Sequence, residues 1–256
     1  MNKQGLLLCA KYSVAPNFFG YCGPDENSSL VDHLKEKVGD KEVQSILSEF
    51  ETLYINLTLI AKENKIVDIF DKRVVEAYWV GNVLLKNVSS RDYAQLLDEK
   101  FNLEKKLGSK NLSKLSHKIQ THTIYPHHSF HVFNIFKRTG HDPSFHTLDT
   151  MDECRISFGQ IKGQNSPLRQ GYEGQAKLQN EIVEVKPLIV TNNKLQFGRP
   201  IERSIKTEYK GKTFLKNLKV GDWVSFHWGH VCDILTQSQA KNLEFYTQKA
   251  IDFYNS

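Results

Sequence analysis

Three histidines fall within five residues, at His127, His128 and His131. On a helix His127 and His131 stand four apart and project from one face, so they can share a metal ion, while His128 turns about 100° away. The alternative for His127 and His131 is a core role, with imidazoles bonded to backbone or to Glu76 among Phe130, Val132 and Phe133. Cys22 lies in Tyr21-Cys22-Gly23-Pro24-Asp25, where Gly and Pro impose a tight turn that can present the thiol beside the Asp25 carboxylate. A thiolate there can ligate a metal or attack an electrophile if a neighbouring histidine lowers its pKa; the other reading is a small residue buried before the turn. Glu76, between Val75 and Ala77 and next to Tyr78 and Trp79, is either an inward carboxylate paired with Arg73 or a histidine, or part of a solvated face. Cys22, Glu76 and His128 are thus catalytic candidates, and His127 and His131 metal candidates. No second His-x-x-x-His or Glu-x-x-His segment completes a four-helix di-iron site.

These residues need elements to place them. Ser29 with Asp32 opens a short helix to about Val38, and from Glu42 apolar residues recur at helical spacing through Leu59. Asp71 caps a third helix carrying Val74 to Leu84, Ser89 with Asp92 opens a fourth, and a weaker one follows near Leu112 to Ile119. Pro126, in a first-turn position, leads a sixth segment over residues 127–137 that carries the histidines. Beyond Cys154 the period shortens to two over 156–161, 182–185, 188–190 and 223–228, with turns at Asn192-Asn193, Gly198-Arg199-Pro200, Lys210-Gly211-Lys212 and Val220-Gly221-Asp222. Thr236 with Gln239 caps a closing helix whose face holds Ala240, Leu243, Tyr246, Ala250 and Phe253. The expectation is an α+β chain, with a helical domain over 1–150 and a small β-barrel with a terminal helix over 151–256.

Composition narrows the function. Net charge is +5, from 34 Lys and Arg against 29 Asp and Glu, and the basic residues are interleaved with acids, which argues against a nucleic-acid groove. The apolar run near Leu6 to Ala10 is far too short for a membrane span and reads neither as that nor as a signal peptide. Four widely spaced cysteines suit free thiols in a reducing cytoplasm. Phosphate-binding Gly loops, a Gly-x-Ser-x-Gly elbow and Cys-x-x-Cys pairs are missing from the sequence, so nucleotide binding, serine hydrolysis and structural zinc find no support. His230 and Cys232 follow His227 closely, but strand alternation turns 227 away from the other two unless the chain bulges at Gly229.

Cys154-Arg155-Ile156-Ser157-Phe158-Gly159-Gln160-Ile161 resembles the opening of the HypC/HupF hydrogenase-assembly chaperones. Val220-Gly221-Asp222-Trp223-Val224-Ser225-Phe226-His227-Trp228-Gly229 resembles that family's Val-Gly-Asp-x-Val-x-x-His-x-Gly strand. The resemblance implies a HypC-like barrel in which Cys154 binds iron as thiolate with His227 as companion, iron that carries cyanide and carbon monoxide on its way to a [NiFe] hydrogenase. In the family that Cys follows the initiator Met, whereas Cys154 is internal, and Phe158 stands where Pro is usual. Residues 21–25, 74–82 and 126–133 are also similar to an uncharacterised family partly associated with [NiFe] hydrogenase gene clusters. The resemblance points to a cytoplasmic accessory protein of hydrogenase maturation that holds or docks an iron-ligand intermediate, with hydrogenase-assembly proteins or the hydrogenase large subunit as partners. The alternative is a metal-dependent enzyme with its site in the helical domain and the barrel as docking module.

Overall fold

The computed structural model describes residues 1–24, 29–101, 113, 115–135, 147–165, 180–209 and 211–256. Asp25, Leu112, residues 136 and 137 of the histidine segment, and Lys210 lie outside these. The chain is α+β. Its helical half comprises α1 (Lys3–Phe18), α2 (Ser29–Glu36), α3 (Lys41–Ser48), α4 (Glu51–Glu63), α5 (Lys72–Trp79), α6 (Ser90–Phe101) and α7 (115–121). A single turn of α-helix (His128–Phe130) then runs into a π-helix (His131–Ile135), and α8 (Leu148–Cys154) leads into the strands.

Helix α1 is the element that sequence periodicity missed, because it is apolar on nearly every side. Its Leu6, Cys9, Ala10, Tyr12 and Val14 are almost wholly buried, as expected of a central helix packed all round rather than an amphipathic surface one. The Asn2 side chain accepts from the Gly5 N–H at 2.9 Å and starts the helix. The run beginning at Glu42 is two helices, α3 and α4, with Phe50, at φ −76° and ψ 84°, as the non-helical N-cap of the second. The third helix stops at Trp79, since Gly81 takes a left-handed φ of 91° against the Tyr246 ring, and Val83–Asn87 continue as a 3₁₀ turn. The Asp71 and Thr236 caps form as their residue types dictate, the latter as a reciprocal capping box with Gln239.

The strands are β1 (Ser157–Asn165), β2 (Asn180–Val185), β3 (Leu188–Thr191), β4 (Lys194–Phe197), β5 (Ile201–Lys206), β6 (Trp223–His227) and β7 (His230–Leu235), followed by α9 (Gln237–Asn255). Five of them form a mixed sheet whose ladders close into a ring in the order β1-β2-β5-β7-β6; all pairings are antiparallel except the single parallel bridge Lys206↔His230. The β3-β4 hairpin, turned at Asn192 and Asn193 with φ of 53° and 58°, stands outside that ring. Ile161, Val183, Val185, Ile205, Val224, Phe226 and Val231 fill a small core of their own. A second, larger core runs without interruption from Leu6 to Phe253 and joins the helices to α9 and to Cys232 and Leu235 of β7. The Tyr12 and Ser225 hydroxyls meet at 3.0 Å across this seam, and Lys11 pairs with Asp233 at 2.7 Å.

Candidate metal centre

Three chain segments end at one point. Cys154 is the last residue of α8, His227 the last of β6, and His128 the first of the short helical turn. One donor atom from each lies within 4.8 Å of the other two. A tetrahedral ion with bonds of ~2.0 Å to nitrogen and ~2.3 Å to sulfur holds its ligand atoms ~3.3–3.5 Å apart, so the three donors would draw together around a bound ion.

Local covalent and hydrogen-bond logic sets these positions. Trp228 and Gly229 take φ of 50° and 68°, which makes the two-residue turn that pairs His227 with His230 and ends β6 at His227. The Trp228 N–H donates to the Glu153 carbonyl at 2.9 Å, tying this turn to the residue before Cys154. The end of α8 is itself clamped. Asp152 accepts from Arg155 at 2.8 Å, from Arg203 at 2.6 Å and from the Leu188 N–H at 3.0 Å, and the fully buried Arg155 also donates to the Lys186 carbonyl at 2.7 Å. Burial of Asp152 alone would raise its pKa, but the two guanidinium groups and the Leu188 amide outweigh it and hold the carboxyl below its ordinary range.

Helix α1 fixes the His227 tautomer. Pro16 has no N–H, so the Tyr12 carbonyl four residues earlier lacks the usual helical partner. The carbonyl instead accepts from His227 Nδ1 at 2.8 Å. With its proton on Nδ1, the ring keeps a lone pair on Nε2, a buried nitrogen with no partner in hydrogen-bonding geometry among the described residues. His128 is arranged the other way round. Its Nε2 donates to the Cys154 carbonyl at 2.9 Å, which leaves Nδ1 as the lone-pair nitrogen, where it accepts from the Tyr78 hydroxyl at 3.3 Å, a bond that a metal on Nδ1 would displace. The two imidazoles stand edge to face at 5.2 Å, with Trp79 against both.

Burial keeps the histidines neutral. It lowers the His227 pKa to about 4, against a partial offset from the Tyr12 and Cys154 carbonyls. It also pushes His128 well down, assisted by His227. Both rings therefore carry the lone pairs that metal ligation needs. The Cys154 thiol is pushed up by burial and secondarily by Cys22, so a cation in the site would have to displace its proton. Two borderline nitrogens and one soft sulfur suit iron or zinc rather than magnesium or calcium.

The remaining sequence candidates separate. His127 and His131 do not form a helical i, i+4 pair, because the helix begins one residue later than Pro126 implied. His127 is its extended N-cap, with φ −113° and ψ 144°. Its ring stacks on Tyr246 at 5.7 Å, accepts from the Ser129 N–H, and is held neutral by burial with a pKa lowered to about 3. This places His127 in the core, apart from the three converging donors. His131 opens the π-helix and lines the same cavity as the triad without belonging to it. Glu76, by contrast, does not line that cavity. It is half-buried near Lys72, Asp233 and Gln239, where burial raises its pKa against the pull of Gln239 and Lys72. Arg73 pairs with Asp71 instead.

Cys22 does reach the cavity. Its loop folds back on the end of α1, where the Pro16 carbonyl accepts from Tyr21 and Cys22, and the Asn17 amide bonds the Cys22 and Pro24 carbonyls. The residue is exposed, but burial of its thiol by the cavity walls raises the pKa, and a charge on Cys22 disfavours one on Cys154. Cys232 is sealed in the core, and His230 stacks on Tyr209 at 4.6 Å. His128 as third donor went unseen in the sequence; its only signal was proximity to the other two histidines, and the helical phase pointed elsewhere.

The triad forms one wall of a cavity of about 600 Å³, which Cys22, Phe50, Tyr78, Trp79 and Trp228 also line. Residues 1–256 match the model of a family of unknown function (DUF6390). The chain belongs to this family. No curated protein and no solved structure matches it. Among the described residues no helix is long and apolar enough to cross a membrane.

Proposed function

We propose that this protein holds a first-row transition metal at Cys154, His128 and His227, and that it does so as an accessory factor in [NiFe] hydrogenase assembly, with iron as the metal. The observation that carries the metal reading is the convergence of three donors from three separate segments, two of them neutral imidazoles with lone-pair nitrogens. The assembly reading leans further on the HypC/HupF resemblance of the Cys154 and His227 segments and on the closed ring of strands that carries His227. Cys154 is internal and has no free α-amine, so His128 from the helical half supplies the additional donor. A metal held by three protein donors keeps further coordination positions for exogenous ligands. Hydrogenase-assembly proteins or the hydrogenase large subunit are the partners this reading names, in the cytoplasm.

A second reading has an observation of its own. A three-donor site facing a cavity of about 600 Å³ is the arrangement of a metalloenzyme, whose open position takes substrate. Its site would lie at the seam of the two halves rather than within the helical one.

Anaerobic purification followed by elemental analysis tests the metal, and co-purification with a co-expressed [NiFe] hydrogenase large subunit tests the partner. Roughly one iron per chain is expected, lost in Cys154→Ser, as is large-subunit binding. Iron binding without any association with the large subunit favours the enzyme, and a metal-free protein contradicts both readings.

A further inference from the structure

Resting on the metal reading, we propose that the cavity beside the triad is a binding pocket for a neutral, flat, aromatic molecule bearing a lone-pair donor, which reaches the metal while its ring lies against Trp228. The volume, about 600 Å³, falls within the roughly 300–1,000 Å³ of small-molecule sites. Among the described lining residues there is no Lys or Arg, and the charged side chains are Glu49 and Glu51, both exposed at the rim. An anion entering would meet two rim carboxylates, with the metal, partly offset by the Cys154 thiolate, as the positive charge in the pocket and no side-chain cation among the described lining residues to assist it. The walls instead offer the rings of Phe50, Tyr78, Trp79 and Trp228.

Trp228 is the specific feature. It holds a left-handed φ of 50° in a turn position that Asn, Asp or Gly fills without strain, and a bulky side chain there is an outlier that points to a role. That backbone places an indole directly after His227, packed against Tyr21 with ring centroids 4.2 Å apart and planes tilted by 31°. Its Nε1–H is buried with no acceptor among the described residues, which leaves a donor for an occupant. An Asn at 228 would make the same turn more comfortably. What it would lack is the aromatic face.

The test uses the full chain loaded anaerobically with Co(II), whose visible spectrum reports exogenous ligands, titrated separately with imidazole, 4-phenylimidazole and azide. The added phenyl ring should tighten binding about tenfold or more over imidazole through buried apolar area, while azide binds more weakly than either. Trp228→Asn should keep the fold and Co(II) uptake, weaken imidazole slightly and lose most of the phenyl advantage. Equal binding of imidazole and 4-phenylimidazole, tighter binding of azide, or an unchanged preference in Trp228→Asn would overturn the proposed ligand class and leave the metal site standing. Failure to take up Co(II) would overturn the metal reading and this proposal with it.

Discussion

The molecule has a second cavity of similar size, about 650 Å³ against about 600 Å³, and the two differ in the polar groups that line them. The second lies among α1, α2, α5 and the 213–217 segment, with Lys35, Lys37, Lys72 and Lys216 exposed around it and Lys11 committed to Asp233 at 2.7 Å. Its polar groups are long, solvated and free to choose their geometry, so nothing holds them to one ligand position. In the first cavity the two imidazoles and the segment that carries Cys154 are buried and fixed by second partners: the Tyr12 carbonyl for His227, the Cys154 carbonyl for His128, the Asp152 clamp for the end of α8. Preorganised lone pairs, not volume, distinguish a coordination site from a solvated groove.

Acid should expose the difference most strongly. His127, His128 and His227 are neutral in the fold, with pKa values depressed below 6.5, to about 3 for His127 and about 4 for His227. The unfolded chain takes up protons below pH 6.5 that the folded chain refuses, so their stability contribution is complete above 6.5 and declines as pH falls toward the folded values. Each histidine costs about 1.4 kcal/mol per pH unit in that window. Denaturant unfolding at pH 6.5 and 4.5 should show a fall of several kcal/mol. The slope should be shallower in His127→Gln and unchanged when the four exposed lysines of the other cavity become Gln; a flat profile in the wild type would contradict the burial argument.

Removing two donors, in Cys154→Ala with His227→Ala, should weaken metal binding by more than the 10–100-fold expected for loss of a supporting group. The four-lysine variant should bind metal within about twofold of wild type, as read by equilibrium dialysis. Pro16→Ala makes a sharper cut, because its two effects have opposite signs. The restored N–H competes with His227 for the Tyr12 carbonyl, so metal affinity should drop about tenfold, while thermal stability rises as α1 gains a hydrogen bond and helix propensity. A fall in both would mark Pro16 as a packing residue only. The smallest effect belongs to Glu76→Gln. Its carboxylate is half-buried with a raised pKa, so neutralising it should leave metal binding alone and change stability by less than about 1 kcal/mol, toward greater stability above the folded pKa.

The sequence carried some of this and hid the rest for physical reasons. Caps and turns are local chemistry, and Asp71, Thr236 with Gln239, and Asn192-Asn193 act as their types require. Helix α1 carried no periodic signal because burial on all sides leaves none. The turn at Trp228 and Gly229, which splits 223–235 into two strands, leaves no turn signature in the sequence because Trp is not a residue that favours its left-handed backbone. In the site, a one-residue shift of the helix start moved His127 into a stacked core position and brought His128 to Cys154 and His227, a difference that only tertiary packing against α8 and β6 decides. The role of Pro16 depends on a carbonyl meeting a side chain 215 residues away.

X-ray absorption of the anaerobically iron-loaded full chain, compared with Cys154→Ser, bears on the central claim most directly. One sulfur and at least two imidazole nitrogens in the first shell, with the sulfur lost in the variant, is the predicted result. A shell of oxygen and nitrogen alone, identical in wild type and variant, would contradict the assignment of Cys154, His128 and His227 as the metal centre.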